Sequence, residues 1–495
     1  MMREPDNLRP TDKRTRRFTK HWRIALAVAL VAAILLAGVL YKERHQLHQF
    51  LRSLTIPPPQ AVQITPLTLP STTAVPYQLT GADWSMYHQN NARTGFVAGV
   101  PDPTHLASLW RQPLDGAVYA EPLVVDGQVI VATEHDSLYA LDARSGQIRW
   151  HTSVGTPVPL SNLPCGNVDP LGITGTPVYD PQTGLVFAVA EIQGPAHLLV
   201  GLDATTGQVK VRRLIDPPGM NPQPEQQRAA LALYEGRVYV AFGGLFGDCG
   251  DYHGRVIASR TDGTGALLAY QVPTTREGGI WAPPEPVIDA QGNLYVSVGN
   301  GAATGGDWDH SDSVLRLSPT LQLEDAFAPQ SWSGDNASDA DLGSMGPVLL
   351  PGGLIFAHGK SSQGYLLRAD ALGGVGGQIQ TIPLCNAGAY GGAAVSGQFA
   401  FIPCADGLRE IRVAPGATLV AGWHAPQQVT GSPIVGGNTV YSLDPGGTLY
   451  ALDAATGSVR AMLSVGTTSR FATPTLSQGI IFIGTLTGVV AVGIA

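Results

Sequence analysis

Short apolar runs dominate the chain after Asp83. They are rich in Val, Ile, Tyr and Phe, and Gly, Asp or Asn interrupts them every eight to twelve residues. Apolar and polar positions alternate within many runs, whereas helical periodicity is almost absent. A period of two suits a half-buried strand, and turn residues at this spacing are typical of many short strands. The pattern therefore predicts an all-β domain over residues 83–495.

Internal repeats define the architecture of that domain. Three nearly identical segments each predict a strand, a tight turn and a second strand: SLYALDARSGQIRW (137–150), LLVGLDATTGQVKV (198–211) and TLYALDAATGSVRA (448–461). The Asp, Thr and Gly of the LDAxTG turn favour a tight reversal of the chain. With weaker copies and the two-strand unit before each, the chain forms eight four-stranded units, roughly 40 to 60 residues apart. Sheets repeated in this way predict an eight-bladed β-propeller.

The two ends of the repeat region are predicted to pair. The last unit ends the chain with GVVAVGIA, so it lacks its outermost strand, and LASLWRQPL (106–114) has the character of that missing strand. Pairing of 106–114 with 488–495 would close the ring and leave no long sheet edge exposed.

The long uncharged apolar run of the chain is Ile24–Leu40, with Trp22 and Tyr41 at its ends. A run of this kind after a Lys/Arg-rich segment predicts a transmembrane helix over 22–41 and a basic cytoplasmic tail over 1–21. A cleaved signal peptide is the alternative. The Pro-rich stretch 42–82 is typical of an extended linker. The sequence thus predicts a single-pass protein of the cell membrane whose propeller is extracytoplasmic.

Charge and cysteine content limit the classes of partner, disulfide and metal site that the chain can have. Beyond residue 44 the chain carries 20 Lys or Arg against 34 Asp or Glu, which argues against nucleic-acid binding. The exported part also holds all four cysteines, in a compartment that permits disulfides. Two bridges allow three pairings, and no cysteine spacing is typical of zinc. The cysteines are Cys165, Cys249, Cys385 and Cys404.

The repeats, their number and the lead-in DWSMYHQNNARTG (83–95) resemble the PQQ-like (quinoprotein alcohol dehydrogenase-like) β-propeller repeat family. That superfamily includes quinone-dependent dehydrogenases and also non-enzymatic members, such as the lipoprotein of the outer-membrane β-barrel assembly machinery. The resemblance covers about 83–495. It implies the fold, but the repeats perform no chemistry, so function has to be argued from the site.

The resemblance also implies a candidate site. In its enzymatic members, loops entering several blades hold the quinone PQQ and a calcium ion on the propeller axis. By similarity, Trp281 corresponds to the aromatic floor under the quinone, Lys360 to a cation on the quinone oxygens and Asn300 to a calcium ligand. Asp339 or Asp341 corresponds to the catalytic base. In that role the aspartate takes the alcohol proton, calcium polarises the quinone carbonyl and hydride passes to the ring.

Two departures from the enzyme pattern both involve cysteines. The enzymes have adjacent cysteines over the cofactor, where NLPCGNVDP has only Cys165, and a calcium-binding Glu, where GLFGDCGDYHG has Cys249. The resemblance therefore implies a Cys165–Cys249 disulfide across the mouth of the ring, and a Cys385–Cys404 disulfide between neighbouring blades near another edge.

Two classes of function remain at this point. The first is a non-catalytic binding or scaffolding module of the cell envelope with a protein or envelope-polymer partner and no known cofactor. The alternative is a PQQ- and calcium-dependent dehydrogenase that oxidises alcohols or sugars outside the cytoplasmic membrane. Each candidate residue also has a structural explanation: Trp281 as a pore-lining aromatic, Asn300 as a turn residue, and Asp339, Asp341 and Lys360 as an ordinary ion pair.

Overall fold

A computed structural model describes residues 83–495. These residues form eight antiparallel sheets, each with four strands in the order of a propeller blade and some with one additional short strand. The all-β fold and the eight-bladed propeller are confirmed. No helix within the described residues is long and apolar enough to cross a membrane. The predicted tail, transmembrane helix and linker (1–82) lie outside the described residues.

The blades are numbered in chain order, and each begins with its innermost strand. The strands of blades 1 to 4 are Leu123–Val125, Gln128–Thr133, Ser137–Asp142 and Ile148–Ser153; Val178–Asp180, Leu185–Ile192, Ala196–Asp203 and Val209–Leu214; Ala232–Tyr234, Arg237–Gly244, Arg255–Arg260 and Leu268–Gln271; Val287–Ile288, Leu294–Val298, Ser313–Leu317 and Leu323–Ala328.

The strands of blades 5 to 8 are Val348–Leu350, Leu354–His358, Gln363–Arg368 and Gln380–Pro383; Ala394–Ser396, Phe399–Ile402, Arg409–Ala414 and Thr418–His424; Ile434–Gly436, Thr439–Leu443, Thr448–Asp453 and Val459–Ser464; Thr475–Ser477, Ile480–Thr485, Gly488–Ile494 and Leu106–Pro113. The remaining elements are the short strands Phe96–Val97, Glu225–Gln226 and Gly374–Val375, the 3-10 turn Leu160–Asn162 and the helix Trp332–Ser338.

The ring is closed by its own ends, as the sequence predicts. Leu106–Pro113 pairs antiparallel with Gly488–Ile494, from Leu106 opposite Ile494 to Pro113 opposite Gly488. The outermost strand of blade 8 therefore comes from the start of the domain, and the other three come from its end.

Neighbouring blades are joined by a repeated tryptophan contact. In the LDAxTG turn of blade 2, Asp203 accepts hydrogen bonds from the next turn residues, and Gly207 has a φ of +70°. Trp150 of blade 1 lies on Gly207 and donates from Nε1 to the Ala204 carbonyl at 2.9 Å. Trp110 and Trp423 make the same contact with the turns of blades 1 and 7. The repeated turn thus serves both the hairpin and the contact between blades.

Residues 84–97, which we call the plug, run along the innermost strands. They hydrogen-bond in chain order to blades 1, 2, 3, 4, 6 and 7, through Val124, Tyr179, Leu233, Ile288, Val395 and Val435. Arg93 anchors the plug: it is 3% exposed and donates to four backbone carbonyls, those of Tyr87, Leu231, Pro284 and Pro286. The plug therefore fastens most of the blades to one short segment.

Both predicted disulfides are present. Cys165, in the loop from blade 1 to blade 2, bridges to Cys249, in the loop after the second strand of blade 3. Cys385 follows the outermost strand of blade 5 and bridges to Cys404, after the second strand of blade 6. Each antiparallel turn reverses the chain, so loops into innermost strands and loops between second and third strands share one face of the ring. Both bridges lie on this side, which we call the entry face.

Candidate functional site

The five residues of the sequence-predicted site all lie on the entry face, on loops of blades 3 to 5. Trp281 lies on the loop into blade 4, and Asn300 follows the second strand of that blade. Asp339 and Asp341 lie on the loop into blade 5, and Lys360 follows its second strand. The propeller topology thus brings Trp281 and Lys360, which are 79 positions apart in sequence, to one side of two neighbouring blades.

Lys360 is paired with both candidate aspartates. Its Nζ lies 2.8 Å from Asp341 Oδ2 and also contacts Asp339 Oδ1. Asp341 is fully buried, and burial raises its pKa to about 6 although Lys360 opposes the shift. Burial by itself would lower the pKa of Lys360, but attraction to Asp341 and Asp339 outweighs it, so the pKa rises. The cation is therefore already neutralised by protein carboxylates.

A short helix that sequence reasoning did not predict holds this loop. Trp332–Ser338 ends at Asp339, whose left-handed backbone (φ 55°) turns the chain toward Asp341. On the helix, Asn336 accepts from Gly301 N at 2.9 Å and donates to Ser311 Oγ at 2.8 Å. The aspartate loop is thus fastened to the loop that carries Asn300.

Trp281 lies flat against glycines. An added Cβ on Gly279 or Gly299 would come within 2.2 or 2.3 Å of the indole, and one on Gly243 within 2.8 Å. The Tyr252 ring lies 6.4 Å away, centroid to centroid. Glycines at these three positions allow the half-buried indole to lie directly on the backbone of blades 3 and 4.

Asn300 is the residue that the family resemblance assigns as a calcium ligand. It is 9% exposed, and its side-chain Oδ1 has no hydrogen-bond partner. One free amide oxygen is a suitable calcium donor, but calcium takes six to eight oxygens. Within residues 83–495, no group of three or more His, Cys, Asp or Glu residues is close enough to hold a metal ion. The set of calcium ligands around Asn300 is therefore incomplete within the described residues.

The propeller axis is largely filled. A cavity of about 10 Å³ lies there, lined by side chains of the plug and of the loops into blades 1, 2, 3, 4 and 8. This volume holds about one water molecule. Arg228 lines this cavity, and its guanidinium lies 4.0 Å from the centroid of the Phe471 ring; the Arg470 guanidinium lies 3.9 Å from that of Tyr390.

Sequence reasoning missed these axial residues, although a signal was present. Each lies four residues before the first residue of an innermost strand: Tyr119 for blade 1, Arg228 for blade 3, Tyr390 for blade 6 and Phe471 for blade 8. Thr174 and Pro283, which also line the cavity, hold the same position in blades 2 and 4. Aligning the loops on their strands, rather than on conspicuous residue types, would have identified the position that faces the axis.

Buried carboxyl groups lie beside the axis between blades 1 and 2. Burial raises the pKa of Glu134 to about 7 and that of Asp136 to about 8, and the charge of Glu134 adds to the shift of Asp136. Glu134 Oε2 accepts from Gly172 N at 2.8 Å, whereas neither oxygen of Asp136 has a hydrogen-bond partner. Protonation is the physical response to such burial.

Parts of the chain are similar in sequence to known proteins. The family model described as outer membrane protein assembly factor BamB matches residues 107–213 and 405–495. The kinase AfsK of Streptomyces griseus is 28% identical over 276 residues, which are 52% of this chain and 30% of the kinase. BamB of Yersinia pestis is 28% identical over 136 residues, 28% of this chain and 31% of that protein. The matches span about a third of these relatives' lengths.

Solved structures share the fold at lower identity. Quinohemoprotein alcohol dehydrogenase from Comamonas testosteroni superposes with a TM-score of 0.63 at 16% identity, covering 83% of this chain and 80% of that one. A europium-containing methanol dehydrogenase gives 0.63 at 16%, covering 84% and 98%. BamB from Moraxella catarrhalis gives 0.54 at 15%, covering 78% and 99%.

The closed ring of eight repeated sheets defines this protein as an eight-bladed β-propeller. The repeats over residues 107–213 and 405–495 match the BamB family model, and the fold is that of PQQ-like β-propellers, so the chain is similar to that repeat family.

Proposed function

We propose that this protein is a non-catalytic binding or scaffolding module of the cell envelope, held at the membrane by its N-terminal helix with the propeller on the extracytoplasmic side. The filled axis is the observation that carries the proposal. Pockets for small ligands have volumes of roughly 300–1,000 Å³, and the axial cavity here has about 10 Å³. The broad entry face, rather than an enclosed pocket, is then the surface available to a partner.

The quinone does not fit this arrangement. Its candidate cation, Lys360, is already paired with two aspartates, and Asn300 lacks the companion carboxylates that calcium requires. No redox step is therefore derived for this chain. The matches to BamB agree with a binding role, since BamB is an outer membrane protein assembly factor.

A dehydrogenase is the second candidate, and two observations favour it. The half-buried Trp281 indole on its glycine floor is a flat surface of the kind on which an aromatic cofactor stacks. The Oδ1 of Asn300 has no hydrogen-bond partner and is available as a calcium ligand. This candidate requires the entry-face loops of blades 3 to 5 to rearrange around the cofactor.

Titration of the purified full chain with PQQ and Ca²⁺ distinguishes the two candidates. The scaffolding proposal predicts no saturable change in the PQQ absorbance spectrum and no alcohol- or sugar-dependent dye reduction. Saturable, calcium-dependent binding with dye reduction that is lost in Asp341→Asn would overturn it. Asp370→Asn, on the exposed surface of the same blade, is the matched control.

Partner binding is tested by crosslinking in cells. A photoreactive residue placed on the entry face, at Ser338, is expected to yield a discrete crosslinked protein. The same residue on an outermost strand, at Arg149, serves as the control position. Absence of any discrete adduct from several entry-face positions would count against a binding module.

The membrane anchor is tested by fractionation. The full chain is expected to remain with membranes through a carbonate wash, and Leu35→Lys with Leu36→Lys is expected to release it, because two charges inside a spanning helix are costly. Protease added outside the cytoplasmic membrane should reach the propeller. Retention of the double variant, or protection of the propeller, would contradict the anchor or its orientation.

A further inference from the structure

Five side chains from four loops meet at the axis on the entry face. We call them the axial cluster: Tyr119, Arg228, Tyr390, Arg470 and Phe471. They are carried by the loops into blades 1, 3, 6 and 8, so they approach the axis from different sides of the ring. Each arginine lies over an aromatic ring, Arg228 over Phe471 and Arg470 over Tyr390.

Both arginines of the axial cluster lack an anionic partner. Within residues 83–495, no hydrogen bond or ion pair reaches the guanidinium of Arg228 or Arg470. Elsewhere Arg255 pairs with Glu225 and Arg409 with Asp406. Arg228 is half-buried and Arg470 is exposed, so both guanidinium groups remain available to a ligand.

The charges around Arg228 also leave it without a strong anionic partner. Burial lowers the pKa of Arg228 to about 10; Tyr119 and Glu134 act in the opposite direction, and the neighbouring charge of Arg470 lowers it further. The acid acting on Arg228, Glu134, has a pKa raised to about 7 by burial, so near neutral pH it is only partly ionised. The positive charges of Arg228 and Arg470 therefore lie close together, in a protein whose net charge is negative.

We propose that the axial cluster binds the C-terminal carboxylate of a partner protein, with Arg228 and Arg470 contacting the carboxylate and the aromatic rings packing against the last side chain. This inference deepens the proposed scaffolding function and depends on it. The guanidinium fork matches a planar carboxylate in two parallel hydrogen bonds. Recognition of a peptide's C-terminal carboxylate is known from sites that use backbone N–H groups, and arginine clusters recognise phosphorylated or acidic motifs.

A chain terminus fits the available space better than an enclosed ligand does. The cavity that Arg228 lines holds about one water, so a ligand has to approach from the open entry face and present only one small group to the axis. A polypeptide end has this shape, with a carboxylate and a single side chain at its tip.

Ala495 lies at the closure of the ring. Its carbonyl oxygen accepts hydrogen bonds from Thr104 N at 2.7 Å and His105 N at 3.0 Å, beside the outermost strand of blade 8. This residue is therefore held away from the axial cluster.

The loops that carry the cluster are fixed by hydrogen bonds. Next to Arg228, Gln227 N donates to Glu191 Oε1 at 2.7 Å, and Tyr390 N donates to Pro403 O at 3.1 Å. A site whose loops are already ordered loses little conformational entropy when a ligand binds. The cluster is therefore preorganised.

The test uses peptides of eight residues with randomised last four positions, made with either a free C-terminal carboxylate or a C-terminal amide. Binding of fluorescein-labelled peptides to the purified full chain is followed by anisotropy. Free-acid peptides are expected to bind at least tenfold more tightly than their amides. Arg228→Gln and Arg470→Gln are each expected to weaken free-acid binding by about ten- to a hundredfold, the worth of a charge-assisted hydrogen-bonded pair.

Conservative and control variants make the test specific. Arg228→Lys should retain part of the affinity, because it keeps the charge but loses the planar fork. Arg368→Gln, in an exposed pair with Asp370, should bind like the unaltered chain. Unchanged unfolding midpoints show that the variants are folded; if Arg228→Gln unfolds, the comparison is made with Arg470→Gln and Arg228→Lys.

The outcomes separate this inference from the proposed function. Equal binding of free acids and amides, or unaltered binding by both glutamine variants, would overturn the axial site. If crosslinked partners persist in these variants, the scaffolding function stands without it. An acidic polysaccharide such as polygalacturonate is also tested as a competitor. If it displaces the free-acid peptides, and if peptide amides compete as well as free acids do, the proposal of a peptide terminus is wrong.

Discussion

Replacing Arg93 should destabilise the propeller more than any exposed substitution, because this side chain fastens the plug to blades 3 and 4. Its guanidinium donates to Pro284 O at 2.9 Å, Leu231 O at 3.0 Å, and Tyr87 O and Pro286 O at 3.1 Å. Arg93→Met keeps most of the apolar volume and removes all four bonds. We expect the remaining buried carbonyls to lose their donors.

The size of the effect follows from these contacts. An unmet buried carbonyl costs roughly 1–3 kcal/mol, so four would cost about 4–12 kcal/mol if nothing relaxed. Burying the guanidinium is itself unfavourable, and its removal returns part of that sum. We therefore expect a loss of about 3–5 kcal/mol in the free energy of unfolding. Arg93→Lys should lose less, because an ammonium still donates to some of the carbonyls.

The assay is urea unfolding of the purified full chain, followed by tryptophan fluorescence. The midpoint should fall clearly for Arg93→Met and less for Arg93→Lys, while Arg368→Met, whose pair with Asp370 is exposed, should stay within about 0.5 kcal/mol. If the free energy of unfolding of Arg93→Met lies within 0.5 kcal/mol of that of the unaltered chain, the four hydrogen bonds of Arg93 do not stabilise the propeller.

Three further predictions concern stability. Trp150→Ala should cost about 3–5 kcal/mol in urea unfolding, as large aromatic deletions do, and a cost under 1 kcal/mol would show that the turn contact does not join the blades. Burial raises the pKa values of Glu134 and Asp136 to about 7 and 8, so their contribution to stability is full below pH 4 and is lost as pH rises through 8. The double variant Glu134→Gln with Asp136→Asn should therefore flatten the decrease in melting temperature between pH 5 and 8. An unchanged slope would contradict the assignment. Lys360→Met leaves Asp341, with a pKa of about 6, buried without its cation, so thermal unfolding should show a larger loss at pH 8 than at pH 5, and equal losses would contradict the ion pair.

Local features of the fold are readable in the sequence because they depend on neighbouring residues. The turn at Asp142 is closed by the backbone N–H groups of Arg144 and Ser145, which donate to its carboxylate, and Gly146 supplies the positive φ. All these residues lie within five positions of one another. Repetition of this unit determines the blade and, by counting, the ring.

The candidate site residues were grouped only through family resemblance. Its chemistry depended on contacts between loops. Nothing local to Lys360 indicates that Asp339 and Asp341 neutralise it, because these residues lie about 20 positions upstream across a strand hairpin. The seven-residue helix before Asp339 is too short for an apolar periodicity to reveal it.

The sequence by itself determined the strands, the turns, the number of blades and the pairing of the chain's two ends, since each is encoded in a periodic or adjacent pattern. Only the tertiary structure decided what occupies the axis. Tyr119 and Phe471, more than 350 residues apart, line one cavity because closure of the ring brings every innermost strand to the same line. Contacts at a symmetry axis depend on all the blades at once, so no local pattern of residues can specify them.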